Sequence, residues 1–138
     1  MQGGNMIFVF GSNLAGVHGR GAARHAMKHY GAIWGKGIGH FGNSYAIPTK
    51  DENIITLPLE RIKGYVDDFI LWAKNHPKMK FYLTRVGCGL AGYTDEDIAP
   101  LFADVPENVI IPESWIPYID GDNVKHEYQD WENENFNR

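Results

Sequence analysis

Ile7-Phe8-Val9-Phe10-Gly11-Ser12-Asn13-Leu14-Ala15-Gly16-Val17-His18-Gly19-Arg20-Gly21-Ala22-Ala23 is the stretch on which the fold turns. Its first four residues are apolar without alternation, which predicts a strand buried on both faces and therefore a parallel neighbour. Gly11-Ser12-Asn13 ends that strand. Ala22, Ala23, Ala26 and Met27 predict a helix over 21–30, closed by Gly31. A strand, a glycine-punctuated turn and a helix in direct succession make the opening of a βαβ unit.

A second stretch repeats the design. Phe81 to Val86 predicts a strand, Gly87-Cys88-Gly89-Leu90-Ala91-Gly92-Tyr93 breaks it, and Thr94 with Asp95, Glu96 and Asp97 starts a helix through Phe102. A hydroxyl N-cap and first-turn acids favour that start. Between the two units, Ile62, Val66, Phe69, Ile70 and Ala73 put one apolar face on a helix over 60–75, ended before Pro77. Residues 45–48 and 54–57 read as two short strands joined by a polar turn, and 31–43, with five glycines, as a loop. Val109-Ile110-Ile111 is a last core strand. The class is therefore α/β, with a mixed, mostly parallel sheet flanked by helices. Residues 1–119 form the domain; 120–138 form an acidic, aromatic tail whose last ten or so residues are expected to fray.

The chain of 138 residues has one cysteine and no apolar run long enough to span a membrane. A cytoplasmic protein with no membrane partner is expected. The net charge of −4 conceals an asymmetry: residues 1–50 contain no acid, five Lys or Arg and four of the six histidines, whereas the remaining 88 balance to −9. Eleven of the 16 glycines lie between Gly3 and Gly42. Mobile backbone and uncompensated positive charge suit an anionic small ligand. The global acidity weighs against nucleic acid as a partner.

Both glycine loops would open at the carboxyl ends of parallel strands, where ligands bind, with helix N-termini behind them. Neither is a P-loop, and the first is no dinucleotide fingerprint. Cys88 beside a helix start has the placement of a nucleophile, but packing of the loop is the better reading. His25 and His29 have ligand spacing without a third donor, so no metal site is assigned. His18 and His40, in glycine-rich loops, are candidates for phosphate contact or general base; Tyr93 and Trp34 are candidates for stacking.

The run strand–GSN–GVHGRGAA, then SYAIPTK, then RVGCGLAG, resembles the macrodomain superfamily of ADP-ribose-binding modules over about residues 7–102. It is most similar to the branch of terminal ADP-ribose glycohydrolases. Some short phage proteins carry a similar pattern. The resemblance implies a macrodomain-like three-layer fold and ADP-ribose, or a related cyclic nucleotide, as ligand without a further cofactor. It would place Asn13 near the distal ribose, with Gly19, Arg20, Gly21 and Ala22 along the phosphates; Gly11, Ser12 and His18 of the same loop are further ligand-binding candidates. Gly87, Cys88, Gly89, Leu90, Ala91, Gly92 and Tyr93 would wrap the other side. Lys50 corresponds to the lysine that attacks the anomeric carbon. The branch's catalytic acid comes directly after GCGL; here that position is Ala91, so binding, such as sequestration of a signalling nucleotide, is favoured over hydrolysis. The sequence leaves self-association open, and keeps a hydrolase and a protein-interaction module as alternatives.

Overall fold

The computed structural model describes residues 6–136. Six strands, β1 (Met6–Asn13), β2 (Gly39–Phe41), β3 (Ser44–Lys50), β4 (Lys80–Leu83), β5 (Val109–Pro112) and β6 (Tyr128–Gln129), form one sheet in the order β2-β3-β1-β4-β5-β6. Every neighbouring pair is parallel except β2 with β3. The α/β class and the mostly parallel sheet are as the sequence indicates.

The apolar run of β1 explains its central place. Ile7 and Val9 enter one core, with Ile62, Val66, Phe69 and Ala73 of α2 (Leu59–Lys74). Phe8 and Phe10 enter a second, with Ala23 and Ala26 of α1 (Gly21–His29). A strand with apolar residues at every position must be covered on both faces, and it is. The chain runs β1–α1–β3 on one side of β1 and returns through α2 to β4 on the other. The strand order thus reverses beside β1, which opens a crevice at the strand ends.

Three readings are corrected. Residues 54–57 form no strand: only an isolated bridge joins Thr56 to Lys50, because the Asp51 carboxylate accepts the N–H groups of Asn53 and Ile55 and curls the chain into a turn. Within the glycine-rich loop, 39–41 pairs with β3 as β2. The helix after Thr94 is one turn, α3 (Asp95–Ile98), continued by a 3₁₀ turn where Pro100 removes an N–H.

After a short helix, α4 (Ile116–Ile119), the chain from 120 to 135 is anchored to the domain by two buried side chains, His126 and Trp131. The buried His126 is bonded to Asp120 at 2.7 Å and to the Val105 carbonyl at 3.0 Å. Beyond it β6 joins the sheet edge. Trp131 opens α5 (Trp131–Phe136) and lies against Phe8 and His25, only 7% exposed. Burying an aromatic of that size contributes on the order of 3 kcal/mol, which anchors the start of α5. Arg138 and Asn137 lie outside the described residues. Among the described residues no helix is long and apolar enough to cross a membrane.

Candidate functional site

At the carboxyl ends of β1, β3 and β4 the two glycine loops face each other across a cavity of about 970 Å³. They approach closely at its floor: a Cβ placed on Gly11 would lie 3.4 Å from the Gly87 nitrogen. The first wall is made by Gly11, Ser12, Asn13 and the run Gly19–Arg24; the second by Gly87, Cys88, Gly89, Leu90 and Ala91; Lys50 and Thr49 close it from β3.

The first loop is built to leave donors unused. Asn13 spends its side chain on the loop itself, donating from Nδ2 to the Val17 carbonyl and accepting the Val17 N–H through Oδ1, both at 2.9 Å. The Ser12 hydroxyl donates to the Gly37 carbonyl, and the Gly16 carbonyl accepts the N–H of Gly35 at 2.8 Å. The loop is thereby clamped onto residues 35–37. Gly37 is obligatory there, since a Cβ would sit 1.9 Å from the Asn13 carbonyl oxygen. The helix start beyond this clamp is bare: Arg20 stands at the N-cap of α1, no side chain caps the helix, and its first turn holds no acid. Uncapped N–H groups and the positive end of the helix dipole therefore adjoin the cavity. Arg20 and Arg24 are exposed, and neither they nor Lys50 forms an ion pair among the described residues.

The second loop differs. Thr94 and Asp97 form a reciprocal capping box on α3, and Asp95 receives Arg85 Nε at 2.8 Å and Trp115 Nε1 at 2.7 Å. The expectation that both helix starts are open to phosphate is corrected here: the second is filled by its own side chains. Burial pushes the Asp95 carboxyl up, but the hydrogen bonds from Arg85 and Trp115 outweigh it and hold it below its ordinary value.

Thirteen of the residues singled out in the sequence meet at the cavity; His18, Gly92 and Tyr93 do not line it. His18 is fully buried, with Nε2 3.1 Å from the Lys36 carbonyl and its ring edge-on to Phe10. Nδ1 has no partner. Tyr93 donates to the Leu57 carbonyl at 2.6 Å and packs against the larger core. His40 lies over Trp72 at 4.7 Å, and Trp34 is exposed; neither lines the cavity. Burial pushes the Cys88 thiol up to about 12, so it stays protonated at neutral pH and is a poor nucleophile.

Sequence reasoning missed Glu132, which reaches the cavity from α5 and accepts the Arg85 N–H through Oε2 at 2.6 Å. Burial pushes its carboxyl up, against the opposing pull of that N–H. The signal was Trp131, an aromatic anchor next to an acid in an otherwise polar tail. Val17, Ile54 and Leu90 add three exposed apolar side chains to the lining. Among the described residues no group of three or more His, Cys, Asp or Glu is placed to hold a metal. No family model, curated protein or solved structure matches the chain.

Proposed function

We propose that the protein binds ADP-ribose or a related ADP-ribose-derived nucleotide, with its diphosphate at the N-terminus of α1. The observation that carries this is the uncapped, acid-free start of α1 beside a cavity lined by Arg20, Arg24 and Lys50. An anion there is stabilised by N–H groups, the helix dipole and unpaired cations together. The cavity of about 970 Å³ is in the range that encloses a ligand of nucleotide size. The exposed Val17, Ile54 and Leu90 offer apolar surface to a base or ribose. The resemblance to macrodomains narrows the ligand to ADP-ribose and the fold to the three-layer macrodomain type. Calorimetric titration with ADP-ribose, AMP and inorganic pyrophosphate tests it: ADP-ribose is expected to bind tightest, and no binding of ADP-ribose refutes it.

Glu132 favours a second reading, hydrolysis of an ADP-ribose derivative. Ala91 removes the acid that the resemblance requires, but a carboxyl with a raised pKa lies in the same cavity as Lys50. Such a group keeps its proton to higher pH than an ordinary carboxyl and is suited to the role of general acid. Recovery of ADP-ribosyl substrates unchanged after prolonged incubation refutes the hydrolase and leaves the binder.

A further inference from the structure

Beside the main cavity lies a smaller depression of about 380 Å³, lined by Arg24, His25, Lys28 and His29 of α1 and by Trp131 and Asn135 of α5. Gly21 also lines both, so the two spaces adjoin through Gly21 and Arg24. We propose that this depression is a second anion subsite, taking a phosphate group that the ligand carries beyond its diphosphate. The link to one ligand rests on the function proposed above; the anion subsite itself does not.

The spacing produces the site. Positions 24, 25, 28 and 29 fall on one stripe of a helix, and α1 contributes no acid to it. Arg24 and Lys28 form no ion pair among the described residues. Lys28 and His29 suit the negative end of the helix dipole, which by itself would explain those two. It does not explain Arg24 and His25 in the helix interior, nor the α5 wall facing them. The imidazoles of His25 and His29 are 4.7 Å apart, and His25 is also packed 5.0 Å from Trp131. Burial, then the neighbouring His29, lowers the His25 pKa. An anion held beside the two rings favours the protonated form of His25, so its binding should be coupled to proton uptake. The acids of α5 are placed differently: Glu132 lines the main cavity, and Glu134 lines neither space.

The test uses the whole chain and two readouts. Inorganic phosphate is titrated at pH 6.5 while the histidine ring signals are followed by NMR. Saturable shifts are expected at His25 and His29, with His40 and His76 still; no shift at His25 and His29, or equal shifts at all four, overturns the subsite. Second, ADP-ribose is compared with its 2′- and 3′-phosphorylated forms on the parent and on Lys28→Gln/His29→Gln, whose side chains are exposed. At least one phosphorylated form is expected to bind about tenfold tighter than ADP-ribose, equivalent to about 1.4 kcal/mol, and to lose that gain in the variant. Absence of any gain, or a gain that survives the substitutions, overturns the shared-ligand proposal. Failure of ADP-ribose itself to bind refutes the proposed function, while the phosphate titration still decides the subsite.

Discussion

The two glycine loops share a composition and a position, each after a parallel strand and before a helix, yet their helix starts are in opposite states. Behind the first, α1 begins at Arg20 without a cap and without an acid. Behind the second, α3 is closed by Thr94 and Asp97, and Asp95 is held by Arg85 and Trp115. Glycine makes backbone accessible on both sides, but only the side without acids leaves its N–H groups and dipole for a ligand. The charge asymmetry of the sequence is therefore local in effect: it separates a wall with an uncapped, acid-free helix start from a self-satisfied one.

The largest contrast should appear in stability. Gly37 is held against the first loop so closely that a Cβ would lie 1.9 Å from the Asn13 carbonyl, whereas a Cβ on Gly89 meets nothing within 4 Å. Gly37→Ala should cost about 3 kcal/mol in urea unfolding, the upper end of overpacking costs. Gly89→Ala should stay within about 0.5 kcal/mol of the parent. Equal effects would mean that the clamp on residues 35–37 is not what shapes the first loop.

A crossed pair of substitutions comes next in scale. Arg20→Glu introduces an acid at the open helix start and should weaken ADP-ribose binding at least tenfold, with little change in unfolding free energy, since Arg20 is exposed and unpaired among the described residues. Thr94→Ala removes a cap and should cost about 1 kcal/mol while sparing affinity. Should Thr94→Ala abolish binding and Arg20→Glu leave it intact, the roles of the two loops would have to be exchanged.

Much of this contrast was legible in the chain. The four-residue apolar run of β1, the face of α2 and the Thr94–Asp97 start are local signals, each contained in a few residues. The illegible part depends on distance. That Thr94 and the acids behind it close the second loop to an anion needs the cap geometry, although all its residues were named. His18 looked like a loop histidine until the chain placed it under Phe10 and against Lys36. Glu132 is 47 residues from the Arg85 N–H it caps, a separation no pattern within the loops encodes.

A smaller effect is expected on the turn that carries the second wall. Ile54 lines the cavity at φ +64°, a conformation that costs a β-branched residue about 1–2 kcal/mol. The Asp51 hydrogen bonds to Asn53 and Ile55 impose it, and Thr56 ties the turn to the Ala91 carbonyl at 3.0 Å. Ile54→Asn should raise the melting temperature, by up to about 1 kcal/mol of stability, because Asn tolerates this region and little burial is lost from a side chain 43% exposed. If Ile54 also supplies apolar surface to the ligand, affinity should fall by a few-fold at the same time. A lower melting temperature would show that the turn is not strained.

The smallest effect is in pH, where the two sides should have opposite slopes. His18 and His40, the histidines that the sequence offers for phosphate contact, do not line the cavity. Glu132 does. Burial raises its carboxyl pKa and Asp130 adds to this, while the Arg85 N–H and guanidinium oppose it; Arg20, Arg24 and Lys50 line the same space. A carboxyl raised by folding contributes stability that is present below its ordinary value of 4.5 and is lost as pH rises through the folded value. Asp95, lowered by its hydrogen bonds despite burial, contributes stability present above its ordinary 3.8 and lost as pH falls through the folded value. A diphosphate entering beside Glu132 disfavours its ionised form further, so binding takes up a proton and affinity rises as pH falls toward the Glu132 pKa. Affinities measured from pH 8 to 5 should rise a few-fold in the parent. In Glu132→Gln the rise should be absent and binding at pH 8 tighter, since the repelling charge is gone. A slope that survives in Glu132→Gln would assign the proton to another group, with His25 in the adjoining depression the first to test.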